Sequence, residues 1–133
     1  MRLSRKSEYA CLALICLAEN TETVLVKTNE IARSKMIPRK YLEQILLLLN
    51  RAGYISSARG TGGGYKLAKK PNEITLAEII RLIDGPLAPV DSVSRFFYKP
   101  SPVEQHAKLT AVFQEIRDLV SEKLEHTTFA DLV

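Results

Sequence analysis

Arg39, Lys40, Glu43 and Gln44 recur one, three and four residues apart, so on a helix they share one face. Their groups suit base edges in a DNA major groove: arginine grips guanine, glutamine pairs with adenine, and glutamate accepts from the cytosine amine. Arg39 and Lys40 suit phosphates equally well, which would position the protein without reading sequence. A merely solvated polar face is the plain alternative. The second candidate is RGTGGGYKL, Arg59–Leu67, where four glycines fall within five residues between an arginine and a lysine. Glycine lets a backbone turn sharply beside an anion, in a nucleotide-binding loop or at the tip of a DNA-binding hairpin. A phosphate cradle needs the spacing G-x-x-x-x-G-K-[ST], or at least a helix directly after the glycines. Here Tyr65-Lys66-Leu67 is extended and Pro71 soon follows, so the glycines join strand to strand. Arg59, with Gly60, Thr61 and Gly62, then forms a wing tip able to enter a narrow minor groove, and Lys66, Lys69 and Lys70 add phosphate contacts.

The remaining chemistry-bearing residues form no catalytic pattern. There are only two histidines, and no serine-histidine-acid arrangement, metal-ligand spacing or phosphate loop, so no catalytic residue, metal or cofactor is expected and the chain reads as no enzyme. Cys11 and Cys16, the only cysteines, point apart around a helix and read as small buried hydrophobes in a reducing, cytoplasmic setting.

The elements that position these residues follow from capping and periodicity. Ser4 can cap a first helix running to about Glu19, with Ala10, Ala13, Leu14 and Leu17 on one face. Its basic start and apolar run superficially imitate a signal peptide, but Glu8 interrupts the pattern. No run approaches the roughly 20 apolar residues of a membrane span. VLVK is a short strand or extended piece. Thr28 or Asn29 caps a brief second helix, SKMI breaks it, and Pro38 suits the first turn of a third. Leu42, Ile45, Leu46 and Leu49 line the inner face of that third helix, and Tyr41 either contacts backbone or packs. Strands at Tyr54–Arg59 and Tyr65–Lys70 form the wing. Thr75 and Glu78 make a capping box for a fourth helix ending at Asp84-Gly85-Pro86.

Beyond it, a proline-rich connector leads to one long helix over Val103–Glu125. Its stripe of Leu109, Val112, Phe113, Ile116, Leu119, Val120 and Leu124 is too long for so small a domain to cover. The expected cover is the same helix of a second chain; a helix folded back on its own domain is the alternative. The divisions are residues 1–84, a winged helix-turn-helix domain; 85–102, the connector; and 103–133, a dimerisation helix and C-terminal segment. The fold class is mainly α with a small β-hairpin wing. Charge agrees: residues 1–70 hold 13 lysines and arginines against 5 acidic residues, and residues 71–133 hold 6 against 10. A basic half joined to an acidic half suggests that one part meets a polyanion.

Taken together, MRLSRKSEYA, YLEQIL, NRAGYISSARGTGGGYKLAK, ITLAEII, IDGPLAPV and TTFADLV resemble the bacterial Rrf-two family of winged-helix transcription regulators. YLEQ followed by the arginine-glycine wing is the most specific part. The resemblance implies a bacterial, nucleoid-associated homodimer, a repressor on partly palindromic operators in double-stranded DNA. It implies a base-reading helix over Pro38–Gln44, with Tyr41, Glu43 and Gln44 matching its YLEQ signature, and a minor-groove role for Arg59. Many members hold an iron-sulfur cluster on three cysteines. The corresponding positions here are Ser92, a position near Phe97, and Val103, with His106 retained, so a chain without a cluster is expected. His106 is expected to cap or pack at the start of the long helix. The signal would be a small-molecule or protein effector. Phe96, Phe97 and Tyr98 could line a pocket for it or meet a partner, although core filling is the favoured role. The rival to a sequence-specific regulator is a winged-helix protein-interaction module with only non-specific DNA affinity.

Overall fold

Ser4 opens α1 (Arg5–Ala18) because its Oγ accepts the Ser7 N–H at 3.1 Å, satisfying a donor the first turn leaves free. The structure is a computed structural model describing residues 2–133; Met1, with which the 1–84 unit begins, lies outside the described residues. Ala10, Ala13, Leu14, Cys16 and Leu17 bury the inner face of α1. α2 (Thr28–Lys35) comes next, and neither Thr28 nor Asn29 caps it: Lys27 holds the cap position without a side-chain bond. Val26 fixes that boundary one residue upstream, because its N–H and C=O both pair with Tyr65 at 2.8 Å. VLVK therefore contributes a single bridge to the wing rather than a strand.

Met36 ends α2 in the left-handed conformation, φ 55°, and the Ile37 N–H returns to the Ala32 carbonyl. Pro38 holds the cap position of α3 (Arg39–Arg51), one residue ahead of the first turn expected for it and without a side-chain bond, and Leu42, Ile45, Leu46 and Leu49 of that helix are buried against α1 and α2. The wing is shorter than expected: β1 (Ile55–Ala58) pairs antiparallel with β2 (Gly64–Leu67) in the register Ser57↔Tyr65 and Ser56↔Lys66. Gly63 and Gly64 explain its tightness. A Cβ on Gly63 would lie 2.3 Å from the Ala58 carbonyl oxygen, and one on Gly64, at φ +148°, would lie 2.7 Å from that of Val26.

The Thr75–Glu78 capping box opens α4 (Leu76–Asp84), whose C-terminal Asp84 reaches back to α1. One carboxylate oxygen accepts the Ser4 N–H at 2.8 Å and the other its hydroxyl. α5 spans Ala107–Glu125, four residues shorter at its start than Val103–Glu125, because Pro102–Gln105 closes as a 3-10 turn and His106 caps the α-helix after it. The stripe on α5 divides. Val120 and Leu124 pack on Ala77, Ile80 and Leu87 of the same chain, whereas Leu109, Val112, Ile116 and Leu119 are exposed, Leu119 at 74%.

The last turn, Phe129–Leu132, returns to the main core. Phe129 is fully buried in the main core, its N–H donates to the Ile74 carbonyl, and the Leu76 N–H donates to that of Thr127. The connector aromatics fill no core: Phe96 is 68% exposed, and Phe97 and Tyr98 are exposed as well. Phe96 lies under the Arg81 guanidinium, 4.7 Å from its carbon, while Tyr98 donates to Glu104 at 2.6 Å. The buried residues of the connector are instead Leu87, Ala88, Val93 and Ser94, and the Val93 carbonyl accepts from Arg117 at 2.9 Å.

Candidate nucleic-acid interface

Burying Leu42, Ile45, Leu46 and Leu49 turns the opposite face of α3 to solvent, and Arg39, Lys40, Glu43 and Gln44 are all exposed there, with Pro38 at its head. Tyr41 stands to one side. It packs obliquely on Tyr9, with ring centroids 6.3 Å apart, and still leaves much of its ring exposed. Arg39 is ordered by two neighbours: its Nε donates to Glu43 Oε1 at 2.9 Å and its Nη1 donates to Asn29 Oδ1.

The wing stands beside this face. Asn29, Arg39, Leu47, Asn50, Arg59 and Tyr65 line one open groove between the start of α2, the outer face of α3 and the hairpin. The structure thus brings the recognition-helix arginine and the wing arginine to the same depression. Arg59, Gly60, Thr61 and Gly62 are exposed at the tip, and no ion pair engages Arg59 among the described residues.

Lys66 is not in that groove. Side chains alternate along a strand, and Tyr65 and Leu67 pack against the main core, so Lys66 between them points the other way and lines a second depression with Lys69, Lys70, Asn20 and Thr21. Lys69 is further occupied by the Tyr54 ring, 4.7 Å below its ammonium.

Sequence reasoning places Asn29 only as a cap and passes over Leu47 and Asn50. Leu47 is within reach of such reasoning, since it lies one turn beyond Glu43 on the same face and is exposed. The Asn29–Arg39 contact has no local signal because it crosses the turn between two helices.

At the positions where resemblance places cluster ligands, the donors are engaged elsewhere or are the wrong type. Ser92 Oγ lies 2.7 Å from Ser101 Oγ, Val103 carries no donor, and His106 Nδ1 accepts the Leu109 N–H at 3.2 Å to cap α5. On α1, Cys16 is buried with its Sγ 3.4 Å from Ser34 Oγ. Burial, with the nearby Asp84 charge adding to it, pushes the Cys11 thiol up to about 11, which keeps it protonated at neutral pH. These residues do not fit an iron-sulfur cluster, whose usual anchors are thiolates. No group of three or more metal-ligating side chains occurs among the described residues, and none of their helices is long and apolar enough to cross a membrane.

Comparison with known proteins agrees with this geometry. The model of the Rrf2 family, described as an iron-dependent transcriptional regulator, matches residues 3–133. The HTH-type transcriptional regulator CymR of Bacillus subtilis is 35% identical over 132 residues, 99% of this chain and 89% of that protein. The solved structure of B. subtilis CymR, described as the global cysteine regulator of that organism, superposes with a TM-score of 0.80 at 32% identity, covering 99% of this chain and 95% of that one. IscR of T. potens superposes at 0.77 with 28% identity, covering 99% and 85%.

Proposed function

Because the chain belongs to the Rrf2 family of DNA-binding transcriptional regulators, we propose that it acts as a homodimeric repressor on partly palindromic operators, without a bound iron-sulfur cluster. One observation carries the proposal: Arg39, on the exposed face of α3, and Arg59, on the wing, line a single groove, with Lys40, Glu43 and Gln44 exposed on the same helix outside its lining. In a twofold dimer the two copies of α3 would enter successive major grooves about 34 Å apart. Arg39, Glu43 and Gln44 would meet base edges, Lys40 phosphates, and Arg59 the flanking minor groove. Lys66, turned away from the groove, would touch DNA only where the duplex curves around the wing.

The exposed residues Leu109, Val112, Ile116 and Leu119 form the proposed dimer seam, with Phe113 at its edge. Val120 and Leu124 would support that seam from inside, by fixing α5 against α4. Occupancy of an operator overlapping a promoter would exclude polymerase. An effector, a small molecule or a protein, that changed the angle between the two copies of α5 would weaken both half-sites together.

The test is selection of genomic fragments by the purified protein at near-physiological salt, compared with Arg59→Ala. A palindromic motif that weakens with Arg59→Ala supports the proposal. Recovery of no motif, with weak binding that salt abolishes, would identify a protein-interaction module instead. Spectra of anaerobically purified protein test the cluster separately, since a visible band from bound iron-sulfur would overturn that part.

A further inference from the structure

Asn29 lies at the start of α2 and is assigned no base to read, yet it holds the arginine that is. The Arg39 guanidinium is fastened on two sides, by Asn29 Oδ1 at Nη1 and by Glu43 Oε1 at Nε. All three side chains are exposed, so the tie adds little to stability. Its consequence is geometric.

An arginine in the first turn of a helix has many rotamers, and a free guanidinium grips any phosphate or guanine within reach. Fixed at Nη1 and Nε, the Arg39 plane has one orientation and offers only its remaining donors. Glu43 is fixed in turn: Oε1 is occupied and its charge is matched, which leaves Oε2 to accept from a cytosine amine. Neither residue can rearrange without the other.

We infer that Asn29 is a positioning residue for sequence readout: by holding Arg39 it makes Arg39 and Glu43 a single reading unit and sets the base preference where that unit meets the operator. The inference rests on the proposed DNA-reading function and deepens it. Asn29→Asp keeps an acceptor for Nη1 and places an acid in the first turn of α2, where the helix dipole favours it. Asn29→Ala removes the acceptor.

The experiment measures binding of wild type, Asn29→Ala and Asn29→Asp to the selected operator and to every single-base variant of one half-site, at two salt concentrations. Asn29→Ala should lose about tenfold discrimination at one or two adjacent positions, the scale of one good base contact. Asn29→Asp should retain discrimination there, and both variants should keep the wild-type melting temperature and the wing-dependent flanking preference. An unchanged base profile in Asn29→Ala overturns the inference alone. A uniform loss of affinity across all variants, with a shallower salt slope, also overturns it by making Asn29 a phosphate contact. If wild type itself selects no operator, the underlying function fails and the inference with it.

Discussion

The glycines of the wing divide by what surrounds them. Gly63 and Gly64 sit against backbone, at the Ala58 and Val26 carbonyls respectively, whereas a Cβ on Gly62 would meet nothing within 4 Å. Gly63 lets the hairpin close on Ala58 and Gly64 lets it approach Val26, while Gly60 is needed for its backbone alone, at φ +98°. Gly64→Ala is expected to destabilise the fold by on the order of 2 kcal/mol, since positive φ and backbone overlap act together. Gly62→Ala should stay within about 0.5 kcal/mol of wild type, and urea midpoints of the two variants measure the contrast. If Gly62 serves close approach to DNA, its alanine variant should still weaken operator binding while remaining folded.

Among the elements, α1 and α4 are tied end to end by Asp84. Burial raises the affinity of this carboxylate for a proton, but the hydrogen bonds from Ser4, together with Ser7 and the Lys6 charge nearby, outweigh it, and the net effect holds Asp84 below the usual carboxylate value. Because the folded value is depressed, the contribution is fully present above the unfolded value, about 3.9, and is lost as pH falls through the folded one. Unfolding free energy should therefore be flat in this group across neutral pH and fall below about pH 4. Ser4→Ala removes the hydroxyl half of the tie and the α1 cap while the backbone N–H bond to Asp84 remains, with a cost of roughly 1 kcal/mol or more at pH 7. Its stability curve should approach that of wild type on acidification, and urea titrations between pH 3 and 7 would show whether the two converge.

At the scale of the molecule, α5 serves two surfaces. Its C-terminal half is committed to its own chain through Val120, Leu124 and the Arg81–Glu125 ion pair at 2.7 Å. Its 19 residues extend about 28 Å, and the apolar residues left exposed along it are those proposed to meet a second copy. Leu119→Asp should shift the protein to monomer in sedimentation and weaken operator binding at least tenfold, because one half-site alone loses the linked second contact. Unchanged operator affinity in a demonstrated monomer would remove the dimer from the mechanism. Phe129 adds a second consequence: the chain beyond α5 folds back into the core beside Ile74, so the position of the long helix and the packing of that core are coupled.

Caps and periodicity were enough to place α1, α3, α4 and the wing, because each rests on residues within a turn of one another: Ser4 with Ser7, Thr75 with Glu78, and the Leu42–Leu49 face of α3. The polar face of α3 came from the same arithmetic, as the side left over once the apolar one is buried. Tertiary structure alone decided the rest. A single bridge at Val26 replaced an expected strand and moved the α2 cap to Lys27; strand alternation turned Lys66 away from Arg59; and Val93, not the aromatics beside it, entered the core. The apolar stripe on α5 is continuous in sequence, and only the position of α4 divides it into an inner and an outer part. Local hydrogen bonds are written in neighbouring residues, whereas which of two equally apolar surfaces is covered depends on chain that returns from far away, as Phe129 does.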